Sequence, residues 1–185
     1  GPPAPALRVV DCAYVPLRLD GQAPTLPGAA WQLWTPNKAL GLTGVRAAYA
    51  IAPAGGPAAD VAALQALAPS WPVGAHGVAL LQAWTEPATQ RWLAQCLPTL
   101  RAWKARQQAL CESLGWVVLP GSLANYFVAR VDAVGAAADL PAALARLRAQ
   151  GIKLRDCASF GLPGHIRLGV LPPDAQGALA RAWPA

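Results

Sequence analysis

Short apolar runs alternate with loops rich in proline and glycine in the first third of the chain. Residues 7–11, 31–35 and 47–52 are apolar runs of strand length, and turn-forming residues bound them. Because these runs are continuously apolar and do not alternate, they predict strands covered on both faces, as in the sheet of an α/β domain.

From residue 57 onward the pattern becomes rich in alanine, leucine and glutamine. This pattern predicts helices over 60–67, 74–84 and 87–114. Pro87 suits a first helical turn and Gly115 suits the position after the last one. Pro98 predicts a kink or break inside the long helix, because proline lacks the backbone N–H.

The rest of the chain again combines strands with helices. Strands are predicted at 116–119, 126–131, 152–155 and 166–170, and helices at 140–150 and 173–183. The chain is therefore predicted to be α/β. It divides into an α/β part over 1–86, a connecting long helix over 87–115, and a smaller C-terminal α/β (α+β) part over 116–185.

The overall composition excludes several classes of protein. Of the 185 residues, 55% are hydrophobic and 13% are charged, which is far from the composition of a disordered chain. No apolar run approaches the roughly 20 residues that a membrane helix needs, and no signal peptide is visible. The chain contains no Met and opens with Gly1, so we expect that its beginning is missing or not shown.

Charged and sulfur-bearing residues suggest neither a nucleic-acid partner nor a metal. The net charge of +6 is spread along the chain, and its densest cluster, 101–106, falls on a predicted helix where a solvated face is the simpler interpretation. The cysteines form no C-x-x-C pair and have no histidine at metal-site spacing. Free thiols suit a reducing compartment, so we expect a cytoplasmic protein without a membrane or metal site.

Residues that suit carbonyl and phosphate chemistry lie between 11 and 46. Asp11 ends the first predicted strand, where α/β sheets bind ligands. Lys38, one of three lysines, lies among small residues and glycines, a setting that favours the uncharged amine needed to form an imine. Arg46 follows as a cation suited to a phosphate. Each residue alone is more often a turn former or a surface charge, so their order along the chain carries the hypothesis.

Four segments match the motifs of one known family in the same order. They are Asp11-Cys12-Ala13-Tyr14, the segment Asn37-Lys38-Ala39-Leu40-Gly41-Leu42-Thr43-Gly44-Val45-Arg46, Ala124-Asn125-Tyr126-Phe127, and the stretch 151–168 with Gly-Ile-x-x-Arg, Gly-Leu and Ile-Arg. With these the chain resembles the pyridoxal-phosphate aminotransferases of fold type I, class I/II. It is most similar to the branch of histidinol-phosphate aminotransferase and threonine-phosphate decarboxylase, and the resemblance covers nearly the whole chain.

The resemblance implies a fold and a reaction. Residues up to 86 would be the C-terminal part of the large cofactor-binding domain, and 116–185 the small domain. The cofactor would be pyridoxal 5'-phosphate, and the reaction a transamination of an amino acid or amino-alcohol phosphate.

The resemblance also implies roles for individual residues. Lys38 would bind the cofactor as an imine and move the proton at the substrate α-carbon, while Asp11 would pair with the ring nitrogen and Tyr14 with the ring's phenolate oxygen. The implied catalytic residues are Lys38, Asp11 and Tyr14. The implied cofactor-binding residues are Asp11, Tyr14, Thr35, Asn37, Lys38 and Arg46. The implied substrate-binding residues are Arg155 and Arg167.

The chain departs from the family pattern at two motif positions and in length. Cys12 and Asn37 stand where the family has Glu and Ser, and the second change removes a hydroxyl that contacts the phosphate. Family members also have roughly as much chain again before the Asp motif, and that part carries further cofactor contacts.

Two alternatives stay open beside the aminotransferase. A threonine-phosphate decarboxylase of cobalamin biosynthesis would use the same cofactor and the same two arginines. A truncated, non-catalytic remnant would fold without holding the cofactor. Full enzymes of the family are homodimers, so the resemblance also implies a homodimer.

Overall fold

The computed structural model describes residues 7–56, 58–131 and 139–183 of the chain. The strands are β1 (Val9–Asp11), β2 (Trp31–Trp34), β3 (Tyr49–Ile51), β4 (Trp116–Val118), β5 (Tyr126–Val131), β6 (Arg155–Asp156) and β7 (His165–Gly169). The helices are α1 (Ala58–Leu67), α2 (Ala75–Thr85), α3 (Pro87–Ser113), α4 (Leu140–Ala149) and α5 (Pro173–Ala182). Strands and helices thus mix in an α/β fold, as predicted.

The chain forms two compact units. Unit 1 comprises Gly1–Leu17 and Gln22–Gln95, and unit 2 comprises Arg18–Gly21 and Cys96–Ala185. The three ranges expected from the sequence, 1–86, 87–115 and 116–185, stay a prediction. They include residues 1–6, 57, 132–138 and 184–185, which lie outside the described residues.

Unit 1 contains a three-stranded sheet in the order β1-β2-β3. β1 pairs with β2 in parallel, with Asp11 opposite Leu33, whereas β3 pairs with β2 antiparallel, with Tyr49 opposite Trp34. β1 and β2 therefore end, and β3 begins, at the same edge of the sheet.

The strands of unit 1 are covered less than their apolar sequence predicts. No residue of β1, β2 or β3 is fully buried, and Val9, Leu33 and Ile51 are exposed. The two helices of unit 1 give little cover, because α1 buries no residue and α2 buries only Gly77 and Leu80. The prediction of strands covered on both faces is therefore wrong for the described part of the chain.

Unit 2 is built on a four-stranded antiparallel sheet in the order β4-β5-β7-β6. Alternate residues of its two central strands face the core, so Phe127 and Ala129 of β5 pack with Ile166 and Leu168 of β7. The remaining buried members of the core are Cys111, Trp116, Val131, Ala143, Leu147, Leu179 and Trp183. Unit 2 therefore carries the larger hydrophobic core.

Two expectations about elements are corrected by the structure. α3 runs without interruption through Pro98, so a break there is wrong, while a kink, the other outcome predicted, stays a prediction. Leu93 before the proline and Lys104 after it are buried, so the helix is anchored on both sides of it. The strand predicted at 152–155 is also largely wrong, because β6 contains only Arg155–Asp156.

The shortness of β6 has a local cause at the end of α4. Gly151 adopts a left-handed conformation with φ of +79°, and the N–H of Ile152 donates to the carbonyl of Leu147 at 2.9 Å. This is the glycine-terminated cap with which many helices end. It ties the residues before β6 to the helix and keeps them from pairing with β7.

A short segment from the N-terminal part of the chain folds with unit 2. Within Arg18–Gly21, the N–H of Leu19 donates to the carbonyl of Leu123 at 2.7 Å, and Arg101 Nε donates to the carbonyl of Leu19 at 2.7 Å. Lys104 Nζ pairs with Asp20 Oδ2 at 3.0 Å. Side chains of α3 thus hold this segment in place.

Candidate functional site

The cofactor-binding residues predicted from the sequence lie at one edge of the unit 1 sheet. β1 ends at Asp11, and Thr35 directly follows the end of β2. Arg46 lies three residues before β3 begins at Tyr49. β3 is antiparallel to β2, so the first residue of β3 lies beside the last residue of β2. The Arg46 segment, which leads into β3, therefore lies at the edge at which β1 and β2 end.

The chain turns sharply as it leaves β1. Asp11 Oδ1 accepts a hydrogen bond from the N–H of Ala13 at 2.9 Å, and the N–H of Cys12 donates to the carbonyl of Leu33 at 2.8 Å. Asp11 is exposed, whereas Cys12 is fully buried. Burial, and secondly the charge of Asp11, raises the pKa of the Cys12 thiol, so this cysteine packs as a neutral side chain.

Lys38 is held against an aromatic ring. Its Nζ lies 4.2 Å from the centroid of the Tyr14 ring, within the range of a cation–π contact. Both side chains are half-buried. Tyr14 comes three residues after the end of β1, so the contact places the amine beside the turn that carries Asp11.

A hydroxyl joins the loop of Lys38 to the entry of β3. Thr35 Oγ1 lies within hydrogen-bond distance of two acceptors, the carbonyl of Ala47 at 2.7 Å and Asn37 Oδ1 at 2.9 Å. Pro36 is fully buried between Thr35 and Asn37, which anchors the start of the loop. The exposed Arg46 directly precedes Ala47, so this hydrogen bond holds its backbone near Thr35.

A close helix contact, which sequence reasoning missed, fixes the backbone of Arg46. A Cβ atom added to Gly77 of α2 would lie 2.9 Å from the carbonyl oxygen of Arg46 and 2.6 Å from Val73 Cγ1. Only glycine therefore lets α2 approach this segment. The signal in the sequence was a glycine inside a helical pattern and away from its end, where a packing reason is the alternative to a helix cap.

The two arginines predicted to bind substrate are direct neighbours in unit 2. Arg155 of β6 and Arg167 of β7 are paired in register. The ring of Phe160 lies under both guanidinium groups, with its centroid 5.1 Å from Cζ of Arg155 and 5.9 Å from Cζ of Arg167. Arg155 Nη2 also donates to Ser159 Oγ at 3.2 Å. Phe160 lies within the motif stretch 151–168, but the motif assigns it no role.

The buried thiol beside these arginines stays neutral. Burial raises the pKa of Cys157, and the positive charges of Arg167 and Arg155 act in the opposite direction. The positive charge in this region is thus that of Arg155 and Arg167, and the Cys157 thiol beside them is uncharged.

Two further findings concern the described part of the chain. None of its helices combines the length and the apolar character needed to cross a membrane. Within the same ranges, no three His, Cys, Asp or Glu residues lie together as a metal ion would require.

Comparison with known proteins gives one family and one fold. The sequence model described as aminotransferase class I and II matches residues 11–182. A search of curated proteins gives no match. Among solved structures, histidinol-phosphate aminotransferase from Clostridium acetobutylicum superposes with a TM-score of 0.77 and 16% identity, covering 96% of this chain and 53% of its own.

Two other structures are similar to the chain in the same way. A decarboxylase from Sulfurospirillum multivorans has a TM-score of 0.78 and 15% identity, over 95% of this chain and 51% of its own. A tetra mutant of aspartate aminotransferase from Thermus thermophilus has a TM-score of 0.74 and 22% identity. The match covers 95% of this chain and 50% of the aspartate aminotransferase chain. The chain thus spans about half the length of the structures it resembles.

Proposed function

The chain belongs to the class I and II aminotransferase family, and from that premise we propose that it acts as a pyridoxal-phosphate-dependent aminotransferase on an amino acid or amino-alcohol phosphate, in the manner of histidinol-phosphate aminotransferase. The observation that carries the proposal is the grouping of Asp11, Tyr14, Lys38 and the Arg46 segment at one edge of the unit 1 sheet.

The side chains at this edge fit the three groups of the cofactor that need a partner. The protonated ring nitrogen needs a carboxylate, which Asp11 offers. The aldehyde carbon needs an amine, which Lys38 offers. The phosphate needs a cation with neutral hydrogen-bonding groups, and Arg46, Thr35 and Asn37 are such a set.

Each residue then has a defined task. Bound pyridoxal phosphate supplies an electron-poor ring that accepts the charge released when a bond to the substrate α-carbon breaks. Tyr14 orients the Lys38 amine through the ring contact at 4.2 Å. With the cofactor bound, the Asp11 carboxylate would pair with the protonated ring nitrogen, and the Tyr14 hydroxyl would donate to the ring oxygen. Lys38 Nζ takes the proton from the substrate α-carbon and returns it, as a general base and then a general acid.

The paired arginines of unit 2 support a substrate with two anionic groups. Like charges directly opposite each other in a sheet are unfavourable unless anions compensate them. Arg167 would bind the α-carboxylate, and Arg155 would bind a second anion such as a phosphate. Phe160 gives both guanidinium groups a common flat support.

Binding of the cofactor tests this assignment directly. Addition of pyridoxal phosphate to the protein should produce the visible absorbance band of a lysine imine. Lys38→Ala should abolish the band, whereas Lys153→Ala, which removes an exposed lysine of unit 2, should keep it. A wild-type protein without the band would contradict the proposal and favour the non-catalytic remnant.

The substrate class has a separate test. With Arg155→Gln we expect the KM for a phosphorylated amino substrate to rise about tenfold or more, while the imine band stays unchanged. An equal rise for the unphosphorylated analogue would contradict the assignment of Arg155.

A decarboxylase is the second candidate. The Sulfurospirillum multivorans protein that shares the fold is a decarboxylase by its name, and threonine-phosphate decarboxylation would use the same lysine and arginines. Release of carbon dioxide without a keto product would decide for it, and formation of a keto product from the amino substrate would decide for transamination.

We further propose that the protein works as a homodimer in the cytoplasm, as its resemblance to the full enzymes implies. Light scattering of the purified protein at several concentrations measures the first point, and a mass equal to one chain throughout would contradict it.

A further inference from the structure

Tyr126 begins β5 and belongs to the matching motif at 124–127, which has no role in the site proposed above. It pairs with Gly169 of β7, two residues along that strand from Arg167. Since side chains alternate between the two faces of a sheet, Tyr126 and Arg167 share the face opposite to the buried core residue Phe127. Diagonal neighbours of this kind reach each other when one is aromatic and the other is long.

The guanidinium group of Arg167 lies against two aromatic rings. Its Cζ is 5.2 Å from the centroid of the Tyr126 ring and 5.9 Å from that of Phe160. Both distances are within the range of a cation–π contact. In the described part of the chain, no carboxylate lies within ion-pair distance of Arg167. Aromatic rings therefore hold this cation where a carboxylate could have done so.

The two rings differ in how firmly the fold holds them. Tyr126 is half-buried and lies in β5, which has a paired strand on each side. Phe160 is 55% exposed, lies in the short helical turn Ala158–Phe160, and also contacts Arg155. Tyr126 is therefore the support that the sheet fixes in place, and its printed contact is with Arg167 alone.

An aromatic support suits an arginine that must bind a carboxylate. The face of a ring attracts a cation and leaves its charge in place, whereas a carboxylate of the protein would neutralise the cation and compete with the substrate. A long side chain that is already held in one conformation also loses less entropy when its ligand binds. Arg167 thus keeps both its charge and its planar set of donors ready for a bidentate partner.

We propose that Tyr126 is a positioning residue, which holds the Arg167 guanidinium group for the α-carboxylate of the substrate through its ring. The proposal rests on the assignment of Arg167 to that carboxylate under the proposed function. It assigns the two anionic groups of the substrate to differently supported arginines, because Tyr126 serves the carboxylate alone while Phe160 contacts both Arg155 and Arg167.

Three matched anions test the proposal on the whole protein without cofactor. 3-Phosphonopropanoate carries both anionic groups, propanoate has only the carboxylate, and ethylphosphonate has only the phosphonate. The NMR signals of the Arg155 and Arg167 Nε–H groups follow their binding. We expect propanoate to shift the Arg167 signal, ethylphosphonate to shift the Arg155 signal, and 3-phosphonopropanoate to shift both.

Substitutions of the two rings should have different effects. Tyr126→Leu should weaken the binding of propanoate and of 3-phosphonopropanoate about fivefold and leave that of ethylphosphonate unchanged. Tyr126→Phe keeps the ring and should restore binding of the carboxylate. Phe160→Leu should weaken the binding of both single anions. Trp92→Leu, which removes an exposed ring of α3, is the control and should change none of them.

A measurement on the unaltered protein covers the case in which Tyr126→Leu does not fold. Without any ligand, the Arg167 Nε–H group should have an NMR order parameter close to the value of about 0.85 of rigid backbone, and that of the exposed Arg106 should lie below about 0.6. In a folded Tyr126→Leu protein the value for Arg167 should fall towards that for Arg106.

Four results would overturn the proposal. They are an Arg167 signal that does not respond to propanoate, an Arg167 order parameter as low as that of Arg106, unchanged binding of propanoate by Tyr126→Leu, and equal weakening of propanoate and ethylphosphonate in that variant. None of these measurements needs the cofactor. A missing imine band with this pattern of anion binding would contradict the proposed cofactor alone, and the band without the pattern would contradict the role of Tyr126 alone.

Discussion

Thr35 shows how much of the candidate site depends on one hydroxyl group. Its Oγ1 lies within bonding distance of Ala47, beside Arg46, and of Asn37, beside Lys38. The resemblance had implied only a contact with the cofactor phosphate. The structure adds that Thr35 organises the loop from within, which a sequence motif cannot reveal because the partner carbonyl is twelve residues away.

Replacing this hydroxyl should affect both stability and cofactor binding. Thr35→Val keeps the shape and removes the hydrogen bonds, so we expect a loss of about 1 kcal/mol in the free energy of unfolding and weaker binding of pyridoxal phosphate. Urea denaturation and a cofactor titration measure the two effects. Thr35→Ser, which retains the hydroxyl, is the control and should bind the cofactor almost as the wild type does; equal binding by Thr35→Val would contradict the role.

Cys111 should make the fold sensitive to alkaline pH. Burial, and secondly the charge of Glu112, raises the pKa of this thiol from 9.0 to about 12. Below pH 9 the folded and unfolded chains both keep the proton, so the thiol has no effect on stability. Between these two values the unfolded chain releases a proton that the folded chain retains, and the free energy of unfolding therefore falls as the pH rises.

A variant isolates this effect from other groups that titrate in the same range. At pH 10.5 the wild type should have lost roughly 2 kcal/mol of stability through Cys111, a loss that Cys111→Ala does not share. Denaturant unfolding of both proteins at pH 8 and pH 10.5 measures it. The same difference between the two proteins at both pH values would show that the thiol does not titrate as described.

At the scale of elements, α3 owes its position to polar side chains as much as to apolar ones. Lys104 is 4% exposed, and its Nζ donates to Asp20 Oδ2 and to the carbonyl of Ser122. Its charged partner is about half exposed, so the pair lies at the border of the interior. From the sequence, the charged cluster 101–106 in this long helix was interpreted as a solvated face. The structure shows that Lys104 in that cluster is buried.

Removal of the Lys104 ammonium should loosen the segment Arg18–Gly21. Lys104→Met keeps the aliphatic stem and leaves the carbonyl of Ser122 without its donor, so we expect a loss of about 1–3 kcal/mol in the free energy of unfolding. Arg106→Met on the exposed side of the same helix is the matched control and should change stability by less than about 0.5 kcal/mol. Equal stability of the two variants would contradict a structural role for Lys104.

The sequence predicts the elements well where local signals agree with packing. β5 was predicted at its observed residues, Tyr126–Val131, because they form an apolar run of strand length. α4 differs from its prediction by one residue, because Gly151 marks its end. The prediction of a strand at 152–155 is largely wrong. The apolar pattern there suits a strand, but the cap at Gly151 holds the following residues against the end of α4. The break that was one of the two outcomes predicted at Pro98 is also wrong, because buried residues anchor the helix on both sides of the proline.

At the scale of the whole molecule, the two units differ in burial, and we expect their backbone amides to differ in protection from hydrogen exchange. Phe127, Ala129 and Ile166 of β5 and β7 are completely buried, whereas β1–β3 contain no buried residue. We expect the amides of β5 and β7 to exchange with deuterium at least about tenfold more slowly than those of β1–β3. Hydrogen exchange followed by NMR measures this, and equal protection in the two sheets would contradict it.

The loop between Lys38 and Arg46 is closed at its base and exposed at its tip. Thr35 and Ala47 join its two ends, and the neighbouring strands β2 and β3 hold them, while residues 41–44 are exposed. The cost of closing a loop grows only slowly with its length once the ends are held. An engineer could therefore splice a short reporter peptide at Thr43 without moving the lysine or the arginine, which makes this loop a natural point for inserting an optical sensor of cofactor binding.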